Sequence, residues 1–394
     1  MNLSGPHSGY HWRRQTSRFF EGWYFRLTLP SVNVLSGSQA LLSGDESAGD
    51  ESAGETFAFM YSIDDPAGGQ DHSGGAAQIL GPGETYYCRS LPDVTKFWAW
   101  PHQLGLGHWR TALEAEPARY LAPEDFFSTV KEGYQVSAHR HQGQLLGADQ
   151  KTVMAKWDYH TQPISGWGAP VQRATAGWLS YLPVFEPGWQ VLMAHGVSSG
   201  WIEWRGDRTR RTDALVRTTF ESAPTYAEKN WGGAFPAKWF WIQCNAFADE
   251  PTLSITAVGG IREVLTWTEN IGLIGIHYQG QLYEFISTKT AFTWKVEPWG
   301  YWRLTACSHQ YRVEVIGQAR DEGAYVRVPT QTGLQFLCRD TTHGDLQLRL
   351  WKRSIKESKP GTETKILDTS SQLAGLEVGG APWDDCWIQP PPQQ

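Results

Sequence analysis

Short runs of alternating apolar and polar residues recur along the whole chain, and stretches with helical spacing are scarce. A period of two sends successive side chains to opposite faces of an extended strand, so the pattern restricts this chain to an all-β fold. "FFEGWYFRLTL", "TFAFMYSI", "AAQIL", "TYYCRS", "YQVSAHRH" and "WQVLMAHGV" read as strands, followed by "WFWIQCNAF", "LSITAVG", "IGIHYQGQLYEFI", "YWRLTACS", "YRVEVIGQA" and "DLQLRLW". Many short strands joined by Gly-rich turns build barrels or sandwiches. "PEDFFSTVKEG", starting at Pro123, reads as a short helix.

Two small, polar segments interrupt the pattern. "SGSQALLSGDESAGDESAGETF", which holds DESAG twice, and "DDPAGGQDHSGGAA" read as loose loops between strands, and the tail "IQPPPQQ" reads as frayed. At 394 residues the chain exceeds one ordinary core. The strands fall on either side of residue 235, which divides the chain into 1–235, carrying the inserted loops, and 236–394.

A net charge of −7 and a pI near 6.0 exclude a nucleic-acid partner, because phosphate binding needs a basic excess. "HWRRQTSR" and "RGDRTRR" read as solvated faces or as contacts with a membrane surface. Five scattered cysteines without a C-x-x-C pair form neither a disulfide framework nor a zinc knuckle, and point to a reducing compartment. "MNLSGPHSGYHW" lacks the apolar core of a signal peptide, and no run of eighteen apolar residues occurs, so a soluble or peripherally bound protein is expected. The 21 tryptophans, 15 tyrosines and 16 phenylalanines exceed what β-rich cores account for, and the remainder reads as the lining of a cavity for a flat or cationic guest.

Strand alternation sorts the candidate residues. In "FFEGWYFRLTL", Phe19, Glu21, Trp23, Phe25, Leu27 and Leu29 share a face; Glu21 there either pairs with a cation, such as Arg18, or holds a proton. In "KWFWIQCNAF", Phe240, Ile242, Cys244 and Ala246 form a core face, and Trp239, Trp241, Gln243, Asn245 and Phe247 form the other. Two indoles beside two amides suit a pocket for a polar head, or else the amides serve neighbouring backbone groups. In "TYAEKNWGGAFP", Tyr226, Glu228 and Asn230 share a face opposite Lys229 and Trp231. That trio either donates a proton and holds the donor, or ends a polar strand before a turn at Gly232, Gly233 and Pro236. "FEPGWQVLMAHGVSSGWIEW" adds Trp201 and sets His195 on the face of Trp189, Val191 and Met193, where it reads equally as a satisfied core residue. Phosphate-binding, dinucleotide, zincin and nucleophile-elbow motifs are missing, and "HRH" at 139–141 is too little to name a metal site, so no metal is expected. Cofactor-free chemistry or simple binding remains.

"GYHWRRQTSRFFEGWYFRLTLP", "GWGAP", "WLSYLPVFEPGWQVLMAHG" and "AEKNWGGAFPAKWFWIQCNAF" together closely resemble the tocopherol cyclase family of cyanobacteria and plastids, and the likeness runs through most of the chain. The lack of a transit peptide implies a cyanobacterial member, cytoplasmic or peripherally associated with the thylakoid membrane, in which residues 36–55 look like a local insertion. The resemblance implies a redox-neutral, cofactor-free closure of a prenylated benzoquinol, 2-methyl-6-phytyl-1,4-benzoquinol or its dimethyl homologue, to a chromanol. That reaction protonates a trisubstituted alkene, passes through a tertiary carbocation and excludes water.

Tyr226-x-Glu228 followed by Trp231-Gly232 is more distantly similar to the Tyr-x-Asp and Trp-Gly elements of bacterial carotenoid hydratases, with Glu where that family has Asp. This implies two tandem lipocalin-like antiparallel β-barrels. On this reading Glu228 is the general acid, Tyr226 and Asn230 orient it, and Glu21 is the reserve acid. Trp23, His195, Trp201, Trp231, Phe235, Trp239 and Trp241 would shape the cavity, and Gln243 and Asn245 would hold the quinol hydroxyls. A non-catalytic carrier of prenylated quinols is the alternative.

Overall fold

The computed structural model describes residues 5–15, 18–30, 54–111, 116–175, 177–181, 187–206, 214–264, 267–356, 359–380 and 382–391. Most of the DESAG-containing segment and of "RGDRTRR" lies outside these residues. The alternating segments are strands in two antiparallel sheets. The first contains β1 (Phe20–Pro30), β2 (Gly54–Asp64), β3 (Gly74–Gly81), β4 (Thr85–Leu91), β5 (Phe97–Ala99), β6 (Gly105–Thr111), β7 (Val130–Ser137), β8 (Arg140–Leu146), β9 (Val153–Ser165), β10 (Gly188–Trp204) and β11 (Val216–Gly232). Their order is β4-β3-β2-β1-β11-β10-β9-β8-β7-β6-β5.

The second sheet contains β12 (Lys238–Cys244), β13 (Ser254–Val264), β14 (Trp267–Tyr278), β15 (Gln281–Ile286), β16 (Ala291–Glu297), β17 (Tyr301–Cys307), β18 (Tyr311–Gln318), β19 (Ala324–Thr330), β20 (Gly333–Lys356), β21 (Lys359–Gly380) and β22 (Trp387–Gln389). It runs β15-β14-β13-β12-β21-β20-β18-β17-β16-β22, with β19 paired to β20. Gly232 closes the first sheet at φ 143°, a backbone angle that favours glycine, and Lys238 opens the second.

Each sheet is curled around its own core. Tyr61 of β2 stacks on Tyr134 of β7 with ring centroids 3.7 Å apart, although β1, β11, β10, β9 and β8 lie between them in the sheet. In a flat sheet about 28 Å would separate those strands. In the second sheet Phe240 of β12 meets Trp294 of β16 at 5.4 Å and Trp387 of β22 at 5.7 Å. The chain is thus all-β, with the tandem lipocalin-like arrangement realised as two curled sheets. Their end strands, β4 and β5 in one and β15 and β22 in the other, pair with no further strand among the described residues.

The faces turned away from the two cores meet one another. In β1, Trp23, Phe25, Leu27 and Leu29 enter the first core, while the fully buried Arg26 reaches across to the second sheet. Its guanidinium donates to Gln243 Oε1 at 2.9 Å and to the carbonyls of Thr342 and Leu373, each at 2.6 Å. Trp167, in the loop after β9, is buried and donates to Glu284 Oε1 at 3.0 Å. This mutual covering explains why β1 and β2 are largely buried on both faces.

Three sequence expectations are corrected. The segment after Pro123 forms a single helical turn, α1 (Phe126–Thr129), before Val130 enters β7. The tail is not frayed at its start, because Trp387–Gln389 pairs with β16. The "DDPAGGQDHSGGAA" segment is a loop only up to Ser73, since Gly74 already pairs with Asp64. No helix among the described residues is long and apolar enough to cross a membrane.

Candidate active site

A cavity of about 230 Å³ lies between the two sheets. Tyr24, Met60, Trp189, Glu228 and Asn230 line it from the first sheet, and Trp239, Trp241, Leu273, Val328 and Glu377 from the second. Strand alternation in β11 puts Tyr226 and Glu228 on this side and Lys229 and Trp231 on the other.

Three donors converge on one oxygen of Glu228. The Tyr226 hydroxyl donates to Oε2 at 2.6 Å, the Trp189 indole at 3.0 Å and the Trp241 indole at 3.1 Å. This leaves Oε1 as the oxygen that carries the proton. Burial pushes the carboxyl up to about 7, against the three donors, which favour the ionised form, and the nearby Glu377 adds to the rise. A buried acid balanced in this way holds its proton near neutrality, and its conjugate base has hydrogen bonds waiting.

A second carboxyl stands on the opposite wall. Glu377 of β21 accepts the Trp239 indole N–H, and burial raises its pKa. Asp340 of β20 is directly across the ladder from Glu377; it is fully buried, and the backbone of Thr341 rather than any side chain supplies hydrogen bonding to its carboxyl. Burial, with Glu377 and Glu84 nearby, pushes Asp340 well above the usual carboxylate range. Gly375 and Gly379 flank Glu377 on the same face, and a methyl group at either would overlap the ring of Trp241 or Trp239 respectively. Those glycines let both indoles lie flat beside the acid.

A family model described as tocopherol cyclase-like matches residues 49–380. The chain belongs to the tocopherol cyclase-like family. A probable chloroplastic tocopherol cyclase of Oryza sativa subsp. japonica is 37% identical, over 98% of this chain and 80% of that protein. A chloroplastic tocopherol cyclase of Zea mays is 38% identical with the same coverage. Among solved structures, a putative AttH from Nitrosomonas europaea aligns with a TM-score of 0.47 at 9% identity, over 95% of this chain and 98% of that one.

In this member of the tocopherol cyclase-like family, Glu228, Asn230, Phe235, Trp239 and Trp241 meet at the cavity, and Trp23 borders it while packing into the first core. The hydrogen bonds to Glu228 come from Tyr226 and two indoles rather than from Asn230. Glu21 lies elsewhere, in a fully buried ion pair with Lys229 Nζ at 2.5 Å, and accepts the His11 amide at 2.8 Å. Burial alone would raise its pKa, but Lys229 and His11 hold it below the usual range, so Glu21 is ionised and not an acid. Arg18, its expected partner, pairs with Asp64 instead.

Other expected cavity residues are held in different places. Trp201 lies under the Arg217 guanidinium at 4.0 Å, and Trp231 stacks on His11 with centroids 3.9 Å apart. His195 is buried outside the lining, its pKa lowered to about 4 by burial. Gln243 is occupied by Arg26, and Asn245 donates to the Thr225 carbonyl at 2.9 Å. Phe247, expected beside the cavity, packs into the second core.

His141 of the "HRH" run is buried in the first core, its Nε2 2.6 Å from the Tyr61 hydroxyl. Glu84, Asp321 and His343 form the group of potential metal ligands among the described residues. Its imidazole already lies 3.1 Å from each carboxylate, and none of the three lines the cavity.

Sequence reasoning missed Trp189 as a donor and missed Tyr24, Asp340 and Glu377 altogether. The available signal was "GLEVGG", where glycines two residues on either side of an in-strand glutamate mark a face that something flat must cover.

Proposed function

We propose that this chain is a tocopherol cyclase that closes the chromanol ring of a prenylated benzoquinol, 2-methyl-6-phytyl-1,4-benzoquinol or its dimethyl homologue. The observation that carries the reading is Glu228, a buried carboxyl on the wall of an aromatic cavity, with its pKa near 7 and all three donors on Oε2. Oε1–H transfers its proton to the trisubstituted alkene, and the tertiary carbocation forms against the indole wall of Trp239 and Trp241. Indole π faces stabilise such a cation, and a lining of this composition keeps water from quenching it. The phenol oxygen then closes the ring. Proton transfer is the only chemistry the reaction demands, so no cofactor enters.

Both halves of the chain contribute. The division into 1–235 and 236–394 is part of this reading, supported by sheets that end at Gly232 and begin at Lys238. Peripheral contact with the membrane that stores the quinol, the thylakoid in a cyanobacterial setting, is also part of it. Its support is the β19–β20 hairpin, where Tyr325, Phe336 and Leu337 are 60%, 51% and 40% exposed beside Arg327 and Arg339, while Val326 and Val328 of the same hairpin line the cavity.

Incubating the purified protein with the reduced quinol and separating the products tests the proposal. Chromanol forming in proportion to enzyme is expected. Quinol bound and returned unchanged would mark a carrier.

A further inference from the structure

Ring closure releases a proton as well as consuming one. The alkene takes its proton from Glu228, and the phenol loses another when its oxygen bonds to the tertiary carbon. In an addition where hydrogen and oxygen arrive on opposite faces of the alkene, the phenolic proton departs on the side away from Glu228. A second group on the other wall must receive it.

We propose that Glu377 is that acceptor, a catalytic base for the phenol hydroxyl held opposite Glu228, with Asp340 as its positioning partner. The inference rests on the cyclase reading above. Its geometric basis is the pair of indoles on β12: Trp241 donates to Glu228 of the first sheet, and Trp239 donates to Glu377 of the second. Residues two apart on a strand share a face at a spacing of about 7 Å. One rigid strand therefore sets the spacing of both carboxyls, Glu228 reaching in from the first sheet and Glu377 from the second, each marked by an indole N–H, and both line the cavity.

The neighbourhood of Glu377 suits a base. Asp340 faces it across the ladder, and two neighbouring buried carboxyls that repel one another hold one proton between them. Asp340, whose oxygens have the backbone of Thr341 but no side-chain donor, is the neutral member; Glu377, which has the Trp239 indole, is the ionised one. Tyr24 lines the same cavity with a buried hydroxyl lacking a partner, in the field of Asp340, Glu377 and Glu228 together.

The steps balance. The Glu228 O–H bond breaks as the alkene π pair forms a C–H bond. A phenol oxygen lone pair then forms the C–O bond with the cation. The phenol O–H bond breaks with its electrons remaining on oxygen, and the proton passes to the Glu377 carboxylate. Transfer of that proton from Glu377 back to Glu228 restores the enzyme.

The test uses Glu377→Gln and Glu228→Gln with the quinol in D₂O, following chromanol and deuterium in the recovered quinol. Without the base, the cation still forms but reverts by losing a proton, which leaves label in the prenyl chain. The expected result for Glu377→Gln is chromanol formation reduced by about 10²–10⁴-fold with deuterium in the recovered quinol. Glu228→Gln should show neither product nor label.

Wild-type chromanol formation in Glu377→Gln would overturn the proposal, and so would loss of both chromanol and label in a variant that still quenches its tryptophan fluorescence with quinol. If Glu228→Gln makes both, the acid assignment fails, whatever Glu377→Gln does. Should Glu377→Gln not fold, Glu377→Asp serves: slower cyclisation with label retained supports the base, and a parallel fall in both overturns it. Asp340→Asn should lower kcat with KM unchanged; an effect on KM alone would remove its positioning role.

Discussion

Replacing Tyr226 with Phe removes one hydroxyl and leaves the ring, so a fully buried position keeps its volume while Glu228 loses its shortest hydrogen bond, 2.6 Å to Oε2. Tyr226 remains protonated at any working pH, because burial and Glu228 push its own pKa well above 10. It therefore stabilises the ionised glutamate more than the neutral one. A hydrogen bond to a charged group contributes about 1.5–3 kcal/mol, and at 1.36 kcal/mol per pH unit its loss raises the Glu228 pKa by about 1–2 units.

Glu228 must be protonated to act, so wild-type turnover, which falls at low pH where the Glu377 base takes up a proton, also falls as pH rises through about 7. In Tyr226→Phe that limb moves to higher pH. The plateau should drop, because the carboxylate developing in the transition state has lost a donor. If about half the charge has developed there, the loss is roughly 3- to 12-fold in kcat. The assay is the pH dependence of kcat for chromanol formation. A limb that stays in place or moves to lower pH would refute the account of how Glu228 is tuned.

Trp239→Leu and Trp241→Leu should each lower kcat by about 2- to 30-fold through loss of a π face worth about 0.5–2 kcal/mol. Trp241→Leu should also move the alkaline limb upward, since this indole donates to Glu228; unchanged turnover in both variants would remove the indoles from the mechanism. Lys229→Met removes the lysine cation from Glu21 and leaves its buried carboxyl with only His11 beside it, so denaturant unfolding should show a loss of about 3–5 kcal/mol. Adding Glu21→Gln should recover part of that loss, and an unaltered midpoint in Lys229→Met would contradict the ion pair.

The placement of Tyr226 and Glu228 was legible because β11 is regular over residues 225–232, so a period of two assigns faces correctly. The same counting placed Phe240, Ile242 and Cys244 in a core, where they lie. It misassigned Trp201 and Trp231 because alternation says which residues share a face, not what covers that face. β1 shows the difficulty plainly: the face holding Glu21 fills the first core, and the cavity forms against the other face. Gln243 and Asn245 do lie on the side of the indoles, but Arg26 and the Thr225 carbonyl, both from the first sheet, occupy them. Pairings of this length were not readable locally. Asp340 and Glu377 were invisible for the same reason, since each is an ordinary strand residue until β20 and β21 are laid side by side beneath Trp239.

The central claim is that Glu228 supplies the proton, and Glu228→Gln tests it most directly. Glutamine keeps the shape and an oxygen for the Tyr226, Trp189 and Trp241 donors but has no transferable proton. Multiple-turnover cyclisation measured across pH 5 to about 9, alongside quinol binding by tryptophan quenching, should show a fall of roughly 10²–10⁴-fold with little change in affinity. The limb near pH 7 should vanish with the rate. Near-normal turnover in Glu228→Gln with that limb still present would contradict the account.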